Sequence, residues 1–240
     1  MAVFMMDHLF LWSLLAGMCT TLGAVILFLR KQWSNSNLAF FLGLASGVMV
    51  AVVVFDMLPS ALLNAGVAKT MIGILLGLLF MLLANSLLFE GINSTQTLVG
   101  LGYMIMLGIA LHDLPEGMAI AFGGEMKAQT GMVIALGIGI HNIPEGMAVA
   151  APLLMSGMKK KSVLVQTLLL SLITPIGTLI GRYLLNLLPD LLPLMLGLAS
   201  GVMLYLVVCQ LWPQAGYKDK NSRWWGFTLG LVVILLATYM

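Results

Sequence analysis

The stretch HDLPEGMAIAF at residues 112–122 returns as HNIPEGMAVAAP at residues 141–152, an offset of 29. Both copies lie inside long apolar runs. About 20 apolar residues are enough to cross roughly 30 Å of hydrocarbon as a helix. Each copy therefore places a His and a Glu at membrane depth, where polar side chains are costly. The two copies predict both the fold, a bundle of membrane-spanning helices, and the position of the functional site.

The composition of the whole chain supports this fold class. Of 240 residues, 61% are hydrophobic and 8% charged, against about 25% charged residues in a soluble domain. Such a chain could not cover a globule with polar groups, which excludes a soluble enzyme and a disordered protein. A net charge of +2 gives no field for phosphate backbones, so no nucleic acid is expected as a partner. Cys19 and Cys209 lie in apolar runs and predict neither a disulfide framework nor a thiolate metal site.

The apolar runs predict an all-α integral membrane protein with eight transmembrane helices, numbered here as spans one to eight. The runs are continuous rather than alternating, which argues against a membrane β-barrel. No soluble domain interrupts them, so residues 1–240 are predicted to form a single transmembrane domain. The predicted spans are about 8–29, 38–63, 68–89, 98–122, 131–157, 162–187, 190–214 and 223–240.

The distribution of basic residues predicts the orientation in the membrane. Eight of the eleven basic residues fall in the loops after spans one, three, five and seven. Because cytoplasmic loops carry an excess of Lys and Arg, both termini are predicted to be extracytoplasmic. The eight are Arg30, Lys31, Lys159, Lys160, Lys161, Lys218, Lys220 and Arg223, and the other three are Lys69, Lys127 and Arg182.

A second repeat relates spans two and seven. The string LGLASGVM occurs at residues 42–49 and 196–203, an offset of 154 that also aligns Asp56 with Gln210 and Pro59 with Pro213. The two copies are an odd number of crossings apart, so they run in opposite directions. Repeats of inverted topology are typical of alternating-access transporters.

The acidic residues inside the predicted spans require a positively charged partner. Buried carboxylates without an embedded Lys are costly unless they are protonated or matched by a cation. Arg182 lies near a span end, where its side chain can reach the membrane surface instead. A metal ion is the natural partner. The intramembrane acids are Asp56, Asp113, Glu116 and Glu145.

The spacing within the two motifs defines a candidate metal site between spans four and five. In both copies the His and the Glu are four residues apart, so they share one helix face. The residue after each His lies about 100° around the helix and can reach a neighbouring position. Mixed imidazole and carboxylate ligands suit zinc, iron(II), manganese or cobalt. The candidate ligands are His112, Asp113, Glu116, His141, Asn142 and Glu145.

The two motifs closely resemble the paired fourth- and fifth-span motifs of the ZIP (Zrt-, Irt-like) metal transporters, especially the bacterial zinc-uptake (ZupT-like) branch. The likeness extends through GVMVAVVVFDMLPSAL at residues 47–62 and across the eight-span layout. It implies a three-plus-two-plus-three inverted-repeat bundle and a two-metal site formed by the six candidate ligands, with the glutamates bridging. It also implies uptake of divalent cations across the cell membrane into the cytoplasm. Spans one, four, five and six would move like an elevator against the rest, within a homodimer. The metal is cargo, and no prosthetic group is expected.

This chain departs from the family pattern at three places. Asp113 stands where the family usually has Asn, and Thr174 stands where many bacterial members have Glu. Cys209 and Gln210 stand where span seven often has acids. We hypothesise that Asp113 supplies the site charge that Thr174 does not.

The same residues also bear on alternative functions. A membrane metalloprotease would require a water-activating base beside its ligands, usually in an H-E-x-x-H string, which is absent. No enzyme activity is therefore expected. A metal-selective channel and a non-transporting metal sensor stay open as alternatives to a carrier. Zinc is the foremost predicted cargo, and iron, manganese, cobalt and cadmium are further candidates.

Overall fold

The computed structural model of the protein describes residues 2–88, 97–187 and 191–239. Within these ranges the chain is almost entirely helical and contains no strand. Eight of the described helices are long and apolar enough to cross a membrane, which confirms the predicted fold class. Spans one to eight are His8–Phe28, Asn35–Leu63, Gly66–Leu87, Leu98–Met126, Ala128–Met155, Lys160–Leu184, Leu191–Lys218 and Lys220–Tyr239.

Several spans consist of more than one helical segment. Span six is interrupted at Leu172, three residues before Pro175, whose ring clashes with the carbonyl four residues earlier. Pro115 and Pro144, by contrast, lie inside the continuous helices of spans four and five. The helical segments are Ala2–Phe28, Asn35–Val52, Val53–Met57, Leu58–Leu88, Leu98–Met126, Ala128–Met155, Lys160–Ser171, Ile173–Leu187, Leu191–Tyr205, Leu206–Leu211, Trp212–Lys218 and Lys220–Tyr239.

The connections next to the site are shorter than the sequence indicated. Spans two and three are joined by a reversal at Gly66, where φ is +74°. Glycine adopts this left-handed backbone region without the steric cost that a Cβ brings. Spans four and five are joined through Lys127 alone, in an extended conformation. The tight connection keeps the two helices that carry the site side by side.

Spans two and seven each contain a π-helical turn at repeat-related positions. The turns are Val53–Met57 and Leu206–Leu211, and Pro59 and Pro213 follow them. Each proline lacks an N–H and crowds the preceding turn, and a widened turn relieves this conflict. The bonds that span five residues run from the N–H of Leu58 to the carbonyl of Val53 and from the N–H of Trp212 to the carbonyl of Val207.

The two copies of LGLASGVM pack in the same way. Gly43 and Gly47 place span two directly against backbone carbonyls of span eight, and Gly197 and Gly201 place span seven against those of span three. A Cβ at any of these positions would collide with a carbonyl oxygen. Small residues thus let these helices approach closely, as is common in membrane bundles. The four carbonyls belong to Arg223, Phe227, Thr70 and Ile74.

The repeat extends further along the chain than its sequence signature suggested. Gly146 of span five meets the carbonyl of Thr20 on span one, and Gly117 of span four meets the carbonyl of Thr174 on span six. Thr20 and Thr174 are again 154 residues apart, and Gly117 and Gly146 are 29 apart. Spans one and five therefore mirror spans six and four. The assignment of residues 1–240 to a single domain stays a prediction.

Candidate metal centre

The six predicted ligands all lie in the interior, at the middle of spans four and five. None of them is more than 3% exposed. Burial of this many polar groups inside an apolar bundle demands partners for each of them. The six are His112, Asp113, Glu116, His141, Asn142 and Glu145.

Each histidine pairs with the glutamate of the other helix. The His112 Nε2 lies 3.2 Å from Glu145 Oε2, and the His141 Nε2 lies 3.1 Å from Glu116 Oε2. The sequence placed each His beside the Glu of its own helix, one turn away. The reciprocal pairing arises because spans four and five run antiparallel with their motifs at the same depth. The two motifs therefore form one cluster rather than two separate pairs.

Asp113 joins this cluster. Ligand atoms of His112, Asp113 and Glu145 all lie within 4.8 Å of one another. The His112 Nε2 is 3.5 Å from Asp113 Oδ1. Zinc binds nitrogen and carboxylate oxygen at about 2.0–2.2 Å, so small side-chain movements would close these three groups around one ion.

Several carboxylate oxygens of the cluster have no hydrogen-bond partner within the described part of the chain. They are both oxygens of Asp113, Oε1 of Glu116 and Oε1 of Glu145. Buried acceptors of this kind are costly, and those left unpaired in a native fold need an explanation. Bound cations would satisfy these oxygens.

Asn142 is held differently from its repeat counterpart Asp113. Its Nδ2 donates a hydrogen bond to the carbonyl of Ala16 on span one, at 3.0 Å. The amide nitrogen thus ties span five to span one, and only Oδ1 is left to serve as a ligand. That oxygen is buried and has no hydrogen-bond partner among the residues that the structure describes. Asp113 therefore lies in the group around His112, whereas the Asn142 amide also links spans five and one.

Two threonines flank the cluster at mirrored positions. Thr20 and Thr174 are both fully buried, and neither Oγ1 has a hydrogen-bond partner in residues 2–88, 97–187 and 191–239. Their carbonyls pack on Gly146 and Gly117, the residues that follow the two glutamates. In the sequence, Thr174 stands out only as a departure from the family pattern, and Thr20 does not stand out at all. Extending the offset of 154 upstream into span one would have found it.

A cavity of about 210 Å³ leads from the bundle surface to one side of the cluster. Glu116 and His141 line its inner part, and Asp56 is exposed on its wall. Its mouth lies near Met126 and Thr130, where spans two and four end and spans five and seven begin. We name this the Lys127 end, and the opposite one the Lys159 end. Asp56 is the intramembrane acid predicted on span two, whereas no feature of the sequence indicates the cavity.

The other two residues that depart from the family pattern, Cys209 and Gln210, lie on span seven outside the cluster. Cys209 is exposed on the outside of the bundle, whereas Gln210 is buried, with 6% of its surface accessible. Both belong to the π-helical turn Leu206–Leu211. The exposed thiol is thus turned away from the interior, and Gln210 is the one of the two that faces it.

In the described part of the chain, eight membrane-capable helices surround a buried imidazole–carboxylate cluster that a cavity reaches. These features define a multi-pass membrane protein with a candidate metal centre. The profile of the ZIP Zinc transporter family matches residues 90–238. Zinc transporter ZupT of Chlorobaculum parvum is 31% identical over 94% of both chains. Zinc transporter ZupT of Escherichia fergusonii is 31% identical over 94% of this chain and 93% of its own. That of Streptococcus mutans is 27% identical over 97% of this chain and 98% of its own. The chain belongs to the ZIP family, and these relatives are transporters rather than enzymes.

Proposed function

We propose that the protein carries divalent metal ions, zinc foremost, across the cell membrane into the cytoplasm through the cluster between spans four and five. The observation that supports this is the set of four buried carboxylate oxygens without partners, beside two imidazoles. Zinc accepts both ligand types, and iron, manganese, cobalt and cadmium are further candidate cargo. The ion is the substrate, and no prosthetic group is required.

The residues divide into two groups of ligands. His112, Asp113 and Glu145 form the first, and Glu116 with His141 forms the second. Each glutamate has one oxygen on a histidine and one without a partner, which suits a bridging carboxylate. The imidazole nitrogens must be deprotonated to bind, so loading the site releases protons where the histidines carry them.

The orientation follows from the excess of basic residues at the Lys159 end. By the positive-inside rule this end faces the cytoplasm and the Lys127 end faces outward. The cavity beside Asp56 then opens to the outside, so the structure represents an outward-facing conformation. A cation would enter past Asp56 and reach Glu116 and His141 first.

The packing supports movement of two bodies against each other. Spans one, four, five and six are joined by glycines against backbone carbonyls, as at Gly146 and Gly117, and so are the pairs two–eight and three–seven. Between these bodies, the atoms nearest to Gly108 of span four belong to the side chain of Leu206 on span seven. Backbone contacts fix helices rigidly, whereas contacts through flexible side chains can slide. We therefore propose that spans one, four, five and six carry the ion as a unit.

Spans three and eight are the best candidates for a homodimer interface. Only 28% and 17% of their apolar windows are buried within one chain, the lowest shares of the eight spans. A second copy would cover part of this surface and lipid the remainder. Chemical crosslinking in native membranes would test this part of the proposal.

Reconstitution into proteoliposomes with an internal zinc-sensitive dye tests the function. A carrier gives saturable uptake with slow turnover, and manganese, iron(II), cobalt and cadmium should compete. Empty liposomes control for leak. Flux that rises linearly with concentration would favour a channel, and zinc binding without flux would favour a sensor.

A further inference from the structure

The inverted repeat predicts a second cavity at the opposite end of the bundle. The offset of 154 relates each cavity-lining position on span two to a position on span seven, and the reverse. The offset of 29 relates those on span four to span five in the same way. Glu116 maps onto Glu145 and His141 onto His112, so both cavities would end at the same cluster. In an inverted-repeat transporter, exchange of the two repeat conformations opens the other side.

The mirrored positions are closed in the present conformation. Ile134 on the cavity wall is half-buried, whereas its counterpart Ile105 is fully buried. Asp56 is exposed to the cavity, whereas its counterpart Gln210 is only 6% exposed. Other positions that mirror the cavity lining are also buried; they include Leu38, Leu42, Ile109 and Leu206.

We propose that Gln210 lines the inward-facing cavity as Asp56 lines the outward-facing one, and that the charge difference between them makes the inward cavity the weaker site for cations. This inference rests on the proposed carrier function. Both side chains belong to the π-helical turns of their spans, at positions 154 residues apart. Equivalent backbone therefore presents a carboxylate on one side of the membrane and a neutral amide on the other.

The asymmetry acts on capture and release. A single charge about 10 Å from a divalent ion, in a largely hydrated cavity, changes its affinity roughly tenfold. Asp56 would concentrate cations arriving from outside. Gln210 offers a carbonyl oxygen but no net charge, so an ion delivered to the inward cavity would leave quickly. The pair would therefore give import a lower KM than export.

A carrier that couples zinc transport to no other ion cannot change the equilibrium distribution of zinc across the membrane. The KM values and maximal rates in the two directions are therefore linked. A lower KM for entry at the Lys127 end must be accompanied by a proportionally lower maximal rate in that direction than in reverse. Asymmetry in one parameter without the other would show that another ion is coupled to transport.

The experiment measures zinc flux from each side in right-side-out and inside-out vesicles. For the wild-type protein we expect a lower KM at the Lys127 end. Gln210→Asp should lower the KM at the Lys159 end roughly tenfold and slow import, while Asp56→Asn should raise the KM at the Lys127 end by a similar factor. The exchange variant, Asp56→Gln with Gln210→Asp, should reverse the asymmetry.

Asn221→Asp provides the matched control, because it adds the same charge at the same end on an exposed residue outside the bundle. It should leave both KM values unchanged. If Gln210→Asp folds, transports zinc and keeps the wild-type KM on both sides, the inference is wrong while the carrier function stands. If the wild-type protein moves no zinc, the proposed function itself fails.

Discussion

The imidazole of His112 on span four hydrogen-bonds the carboxylate of Glu145 on span five, at 3.2 Å. The reciprocal bond joins His141 to Glu116. Each half of the cluster therefore depends on both helices. A metal that replaces these bonds would hold spans four and five together, and removal of one glutamate would leave a histidine of the other helix without its partner.

Replacing Glu116 or Glu145 with Ala should abolish zinc uptake and weaken zinc binding at least tenfold. Either change removes a carboxylate that we assign as a bridging ligand. The bundle should still fold, because the histidine that loses its partner can give up its proton and then leaves no unpaired buried charge. Isothermal titration and vesicle uptake on purified protein measure both effects.

Glu125→Ala is the control for these variants, because Glu125 is an exposed acid on the same span. It should retain wild-type binding and uptake. Uptake close to the wild-type rate in either cluster variant would contradict the assignment of the site.

The buried positions of the six candidate ligands could be predicted from the sequence because their signals are local. Carboxylates and imidazoles inside an apolar run are rare, and the spacing of four residues defines a helix face without any knowledge of neighbours. The pairing of His112 with Glu145 could not be predicted in this way. It depends on the relative depth of two helices, which the single-residue connection at Lys127 determines.

The position of Thr20 beside the cluster is a second feature that no local sequence pattern predicts. A threonine in an apolar span carries no signal of its own, and span one lacks the conspicuous repeat string. In the sequence only the offset of 154 relates it to Thr174, and its packing on Gly146 shows that the two positions correspond. The cavity beside Asp56 is likewise a product of four helices meeting, which no local pattern contains.

Gly146→Ala should destabilise the protein, because the added Cβ would collide with the backbone carbonyl of Thr20. Overpacking of this kind costs about 1–3 kcal/mol. The neighbouring Gly137→Ala is the matched control, since nothing lies within 4 Å of a Cβ there. In the thermal unfolding of detergent-solubilised protein, Gly146→Ala should lower the Tm and Gly137→Ala should leave it unchanged or raise it. Equal Tm values would contradict the close packing of spans one and five.

Asp219 should stabilise the turn between spans seven and eight in a pH-dependent manner. Hydrogen bonds from the Ser36 hydroxyl, and from the hydroxyl and backbone N–H of Ser222, hold the pKa of this exposed carboxyl below its usual value. A lowered folded-state pKa gives stability that is present above the unfolded value and lost as pH falls through the folded one. Asp219→Ala should therefore lower the Tm at pH 7, and the difference should shrink below about pH 4. A difference that does not depend on pH would exclude this origin.

Asp113→Asn should reduce the number of ions bound. Asp113, Glu116 and Glu145 together carry −3 when ionised, and loss of one leaves −2, which balances one divalent ion but not two. Because carboxylates favour hard metals, the variant should lose manganese or iron(II) affinity more than zinc affinity. Thr174 is buried and packs on the residue after Glu116, so adding Thr174→Glu should restore part of the lost second-site affinity. Metal stoichiometry and competition on purified protein measure each step. An Asp113→Asn protein that binds the wild-type number of ions with unchanged preference would show that Asp113 does not replace the missing charge.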